Sequence, residues 1–448
     1  MIAEYNLRQK EYRMKMRNKS FLTIFLIIAL TTVGFITILL QASSVIDVFN
    51  RLGILLLFIV CIYKGRKESY LFNPYYLFSI TPLSLLIYFK SVSPYYLTNL
   101  SQSTWSIAFY NISMFIIGLS LISSYKSMEN SIKNTNHDNS FNIKNLLFHT
   151  KLFLLLGMLP TIYGFFIGFP TLLSGNLYGM KVYATALPLA SVLTLFKYPA
   201  IAYAIKSKNK KTIVFTLLLC IFDIFINFNK FQIGLLLFVV LISNIKYSMR
   251  TNRVNVRIFI YILFAALILF WSFDYYDSLR GYDTANYLIK ANRVSGSINK
   301  RLILPYLYLT TPWVNLQFVM ETSTSHTYGL WVLKPFINYF QLDGLFIEQY
   351  TLIPRSTFNT FNYISVLFKD FGFIGSGIIS LLLGLMIKMI YTHFRKTTSP
   401  FAVAAYSLNA YAVFLMFFSN HFFMQSYPIT ILIMMMIYNV FRFKKKII

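Results

Sequence analysis

The sequence predicts an all-α protein: a polytopic integral membrane bundle of about twelve spans, both termini cytoplasmic, with one large extracytoplasmic cap loop. Three observations predict it. Of the 448 residues, 57% are hydrophobic and only 12% are charged. A typical soluble domain is about 25% charged, so this chain has too few polar side chains to cover a water-facing surface. Apolar stretches of roughly 20 residues, the length that crosses a bilayer, recur along the chain. The cations between them collect in alternate connections.

The candidate spans lie near 21–41, 45–63, 73–89, 104–124, 147–169, 184–205, 212–228, 231–245, 257–273, 371–391, 400–420 and 425–441. The first, FLTIFLIIALTTVGFITILLQ, is free of charge and follows a basic stretch. It is long for the apolar core of a cleaved leader and no Ala-x-Ala site follows, so it reads as a span. Orientation comes from the cations. Arg8, Lys10, Arg13, Lys15, Arg17 and Lys19 precede the first span, and Arg442, Lys444, Lys445 and Lys446 follow the last. Between these ends, Lys64, Arg66 and Lys67, Lys126, Lys133 and Lys144, Lys206 to Lys211, Lys246 to Arg257, and Arg395 with Lys396 all fall on the same side. The opposite short connections hold only Lys90, Lys181 and Lys230. The positive-inside rule makes the basic side cytoplasmic. The net charge of +27 is therefore an orientation signal facing anionic lipid, and the chain is not a nucleic-acid binder. Cys61 and Cys220 lie in apolar runs, which excludes a disulfide framework or a cysteine metal cluster.

One connection breaks the rhythm. No clean crossing follows Phe273 until Gly372, and the segment Asp274–Thr360 falls on the outer face by the same count. Asp274, Asp277, Asp283, Glu321, Asp343, Glu348 and Asp370 make up half of the chain's 14 acids. A loop this long is functional or disordered, and its Tyr, Trp, Leu and Phe content speaks against disorder. Three regions follow: a membrane bundle over 1–273, an extracytoplasmic cap over 274–370 and C-terminal spans over 371–448. Within the cap, RLILPYLYLTTPWVNLQFV is interrupted by Pro305 and Pro312 and reads as a re-entrant or interfacial helix pair. Gly372, Gly375 and Gly377 open the next span and read as sites of close helix packing.

No phosphate loop, Cys-x-x-Cys pair, zinc-binding His-Glu-x-x-His or Gly-x-Ser-x-Gly elbow occurs. The letters DFG at 370–372 stand without any other kinase motif. What remains is an outer face with arginines, two histidines and a few acids. Guanidinium forks suit a pyrophosphate, and Arg280, Arg293, Arg301 and Arg355 are the candidates. For a general base the options are His326, His421, Asp277, Asp283, Glu321 and Asp370. Lys151, Lys197, Asp223 and Lys388 lie inside spans, where charge is expensive; Lys151 and Lys388 sit near cytoplasmic ends, and Asp223 is mid-span with no partner legible in the sequence. Neither a metal nor a cofactor is implied.

Several segments resemble the bacterial oligosaccharide repeat-unit polymerases, the O-antigen and capsule polymerases of the Wzy type. They are NPYYLFSITPL from Asn73, Arg280-Gly281 after a span, LPYLYLTTPWVNL from Leu304, TYGLWVLKPFINYF from Thr327, and FNTFNYISVLFKDFGFIGSGI from Phe358. They run through the cap and the following span in order. The resemblance implies a glycosyltransferase of the cytoplasmic (inner) membrane. It would move a growing glycan from undecaprenyl pyrophosphate onto a new lipid-linked repeat unit, alongside chain-length regulator and flippase proteins. It further implies Arg280, Arg301 and Arg355 on pyrophosphate, His326 or Asp370 as base or orienter, and Asn359 on sugar. The rival readings are a lipid-linked oligosaccharide flippase, which predicts internal repeats and midplane charges, an O-antigen ligase with the same chemistry and another acceptor, and a sensor or structural membrane protein.

Overall fold

A computed structural model describes residues 45–68, 70–88, 100–122, 143–173, 190–226, 230–248, 300–323, 325–339, 360–419, 422, 430–434 and 436. The candidate spans at 21–41 and 257–273 and most of 425–441 lie outside them, as do 274–299 and 340–359 of the cap. The described residues are mostly helical, with no strand among them. In chain order the helices are α1 (Val45–Lys67), α2 (Pro74–Phe78), α3 (Ile80–Leu86), α4 (Gln102–Leu121), α5 (Ile143–Leu173), α6 (Ala190–Leu193), α7 (Lys197–Ser207), α8 (Lys210–Ile226), α9 (Lys230–Ser248), α10 (Lys300–Thr322), α11 (Leu330–Tyr339), α12 (Tyr363–Lys396) and α13 (Pro400–Phe414). A 3₁₀ turn, Thr194–Phe196, joins α6 to α7.

Four of them are long and apolar enough to cross a membrane: Val48–Lys67, Gln102–Leu121, Ile143–Ile167 and Tyr363–Lys396. Their outward faces carry Leu56, Phe166 and Ile374, and α8 adds Phe215, Leu218 and Phe222, all more than half exposed. An exterior this apolar is suited to lipid rather than water. The centre is aromatic and aliphatic, with Phe78 stacked on Phe115 at 4.1 Å and Phe394 on Tyr406 at 4.4 Å.

The tightest seam joins α4 to α12, which run parallel. Tyr110 stacks on Phe373, Asn111 meets Ser376 and Ser380, and Gly118 faces Leu381 and Leu385. Glycines let the backbones touch: a Cβ on Gly118 would lie 3.0 Å from the Leu385 nitrogen, the small-residue device of membrane helices. Asn111 cross-links the seam, donating to Ser376 Oγ at 3.1 Å and accepting from Ser380 Oγ at 2.8 Å.

The basic helix ends converge at one end of the bundle. Lys388 pairs with Glu68, and Arg395 donates to the Glu68 carbonyl. Lys206 and Tyr247 donate to the Thr398 carbonyl, and Lys246 to the Phe394 and Arg395 carbonyls at 3.0 and 3.1 Å. These lysines satisfy peptide oxygens left open where α12 ends.

The structure corrects two sequence-based expectations. The segment from Arg301 is not a helix pair; α10 runs unbroken through Pro305 and Pro312. An interior proline costs about 3 kcal/mol, but Trp313, Val314, Leu316 and Val319 are buried by keeping the helix, at roughly 1.5–3 kcal/mol each. Burial wins. The second correction concerns 73–89, where α2 and α3 are two short helices meeting at Ser79 rather than one continuous helix.

The fold-back lies elsewhere. Inside α12, Gly372 has φ 67° and ψ −163°, which no helix allows. Tyr363 and Gly384 would be about 31 Å apart in a straight helix. Yet Gly384 packs on the Phe115 carbonyl and the Tyr363 ring lies 6.2 Å from the Phe115 ring. Both touch one residue, so 363–371 returns alongside 373–396. The backbone bond from Tyr363 N–H to the Met416 carbonyl, 3.2 Å, anchors the returning arm in the middle of the bundle. The long arm, 373–396, is about 36 Å at 1.5 Å per residue, enough to cross a bilayer by itself.

The mid-span acid also finds its partner. Asp223 of α8 forms a fully buried ion pair with Lys197 of α7, and Thr161 of α5 donates to the other carboxylate oxygen. Lys197 Nζ also donates to Gln232 of α9 at 2.5 Å. Four helices thus meet on one charge pair, whose members need each other in a low-dielectric interior. Asp223→Ala, which strands Lys197, is expected to destabilise the bundle by about 3 kcal/mol or more. The double variant Lys197→Met/Asp223→Leu should recover most of that loss, as measured by thermal unfolding in detergent.

Candidate functional site

Of the predicted site residues, Arg280, Arg355 and Asn359 lie outside the described residues, as does His421. Arg301 stands in the first turn of α10, at the opposite end of that helix from His326. The structure brings together His326 and Asp370, at the turn between α10 and α11 and at the apex of the α12 fold-back.

The turn is built from Ser325, His326, Thr327, Tyr328 and Gly329. Tyr328 has φ 49° and Gly329 φ 94°. Glycine takes such a value freely; for tyrosine it costs about 1–2 kcal/mol, so something must hold it. The holding comes from the end of the returning arm. Thr327 N–H donates to the Lys369 carbonyl at 3.1 Å, and Tyr328 N–H to the Asp370 carbonyl at 2.9 Å. Lys369 Nζ reaches the Ser325 carbonyl at 3.3 Å.

Asp370 is the centre of this junction and is wholly buried. Its carboxylate accepts from Thr327 Oγ1, from Trp331 N–H at 3.1 Å and from Val332 N–H at 2.8 Å. The last two are amides of the first turn of α11, which have no partner inside their own helix. A carboxylate there satisfies them and sits at the positive end of the helix dipole. Asp370 therefore caps α11 from a distant part of the chain.

His326 lies against the apex itself. The residue is exposed, and its ring meets Phe368 edge-on, with centroids 5.9 Å apart. A Cβ on Gly372 would come 2.8 Å from His326 Nε2. Gly372 is thus required twice, for its left-handed φ and for the space the imidazole occupies. This differs from the packing role predicted for the 372–377 glycines. Gly377 does serve packing, since a Cβ there would strike the Tyr110 ring.

The start of the returning arm is a second polar knot. Asn362 caps it, its Oδ1 accepting from Ser365 N–H and Oγ, both at 2.9 Å, while its Nδ2 donates to the Pro312 carbonyl at 3.3 Å. Asn315 of α10 donates to the Thr360 carbonyl at 2.8 Å. Among the described residues, no three His, Cys, Asp or Glu side chains converge as metal ligands do. Thr327, Tyr328, Lys369 and Gly372 are site residues that sequence reasoning missed. Two aromatic-glycine steps, Tyr328-Gly329 and Phe371-Gly372, were the available turn signal.

Compared with protein-family models, curated proteins and solved structures, the chain matches none.

Gly372→Ala is expected to displace His326 and open the fold-back, read as new protease cleavage near 325–329 in membrane vesicles. Asp370→Ala removes three acceptor contacts and leaves two amides uncapped. It should destabilise α11 by about 1–3 kcal/mol and give the same cleavage pattern.

Proposed function

We propose that the chain polymerises undecaprenyl-pyrophosphate-linked oligosaccharide repeat units into surface polysaccharide, O-antigen or capsule, on the outer face of a bacterial cytoplasmic membrane. The observation that carries this reading is the exposed His326, its ring seated against the braced chain reversal at Gly372, remote from the basic terminus of α12. On this reading the chain has about twelve spans and cytoplasmic termini, and the braced turn faces the lipid-linked glycan.

The reaction transfers a glycosyl block. An acceptor-sugar hydroxyl attacks the anomeric carbon of the donor glycan, forming a new C–O bond. The bond from that carbon to the pyrophosphate oxygen breaks, and undecaprenyl pyrophosphate leaves with the electron pair. The hydroxyl proton needs a base within hydrogen-bond reach. His326 takes that role because the residue is exposed, whereas both oxygens of Asp370 are engaged in capping α11. Asp370 is then the orienter, holding His326 through Thr327. Arg280, Arg301 and Arg355 bind the leaving pyrophosphate by charge-assisted bonds, and Asn359 contacts sugar.

A flippase for the same lipid-linked glycan is the second reading. It is favoured by the buried Lys197–Asp223 pair directly after the 3₁₀ break between α6 and α7, since transporters place charges at interrupted helices near the midplane. Deleting the gene and resolving surface glycan by gel separates the readings. Loss of the polymerase should leave single repeat units attached, and loss of a flippase almost no glycan; a ligase deletion would leave long chains unattached. His326→Ala, at unchanged protein level, is expected to cut polymerisation about 100-fold or more; normal chain lengths would remove His326 as base.

A further inference from the structure

The braced turn holds a second outward group, which the chemistry above does not use. Tyr328 sits in the left-handed region, and the residue is 84% exposed. Packing therefore gives nothing back for the strained backbone. Asparagine would accept this conformation more readily and would leave a polar turn. The residue cannot relax either, because its N–H is bonded to the Asp370 carbonyl and that of Thr327 to the Lys369 carbonyl. A rigid support thus presents a bare phenol ring two residues from His326. Strain held in place by its surroundings, with no local return, marks a group kept for what it contacts.

The geometry points to Tyr328 as a stacking platform for a neutral pyranose, the subsite that seats the acceptor glycan beside His326. This assignment rests on the glycosyl-transfer reading above. A tyrosine ring offers an apolar face to the C–H face of a sugar and a hydroxyl to its rim. Two features favour a sugar over a lipid headgroup. Tyrosines of an interfacial belt need only the right depth, not an unusual φ. The groups that share this turn, His326 and Lys369, are polar and exposed or half-buried, with Lys369 tied to the Ser325 carbonyl. They suit a hydroxylated ligand better than acyl chains.

The test uses the full chain in nanodiscs of phosphatidylethanolamine and phosphatidylglycerol. The probe is the repeat-unit oligosaccharide released by mild acid from the organism's own surface glycan. Tyr328→Trp serves as reporter, read against the four native tryptophans. The probe should shift its emission and shield it saturably from iodide. Tyr328→Asn, which keeps the backbone and deletes the ring, should weaken probe binding about tenfold by calorimetry, the scale of one aromatic contact. The same variant should raise the KM for acceptor more than it lowers kcat. Quenching of the reporter by nitroxide-headgroup lipid, with no response to the probe, would place the ring in a membrane belt and overturn the assignment. Unchanged probe affinity in Tyr328→Asn would overturn it as well. Should the deletion strain make chains of normal length, polymerisation fails as the function, while probe binding lost in Tyr328→Asn would still identify a sugar subsite.

Discussion

A chain that reverses beside apolar helices must find partners for the peptide groups it takes out of the helical ladder wherever packing shuts water out. That constraint organises the region around Gly372. The reversal is affordable because each side of it is tied to something else. The returning arm begins under an asparagine cap and ends by lending two carbonyls to the Thr327–Tyr328 turn. Asp370, the residue that closes this arm, also supplies the acceptors that α11 lacks. Turn, arm and helix are therefore one cooperative unit, and the imidazole of His326 takes its position from all three.

The same economy appears at the other end of the molecule. Where α12 ends, lysines from α7 and α9 reach in to cover open carbonyls. Charges that would be costly if isolated become tolerable when they complete backbone bonding. The Lys197–Asp223 pair follows the same logic deeper in the bundle, with hydrogen bonds from α5 and to α9 satisfying the remaining polar atoms.

The helical class was legible because composition reports the solvent, and α1, α4, α5 and α9 fall where apolar length placed spans. The gathering of Lys206, Lys246 and Arg395 at one end was legible for a related reason: the sequence sorts these cations into alternate connections between its apolar runs. The fold-back was hidden: Lys369-Asp370 interrupts the apolar run before Gly372, but a reversal there leaves no periodic trace beyond one glycine. The partner of Asp223 was hidden because Lys197 and Thr161 lie 26 and 62 residues away. Proline was over-read in α10, where local cost is outweighed by the burial of Trp313 and its neighbours. In the candidate site, His326 and Asp370 were found by residue type. The distinct tasks that the geometry gives them, one exposed and one saturated, depend on contacts across about forty residues.

The seam between α4 and the long arm of α12 joins residues 265 positions apart, as in the bond from Asn111 to Ser376. During synthesis, α4 enters the bilayer long before its mate exists. Until then its carboxamide and its glycine groove face provisional neighbours. Assembly of this protein is accordingly a late event, completed only when the last third of the polypeptide has left the ribosome, and the earlier helices must be kept from pairing with the wrong company in the interval.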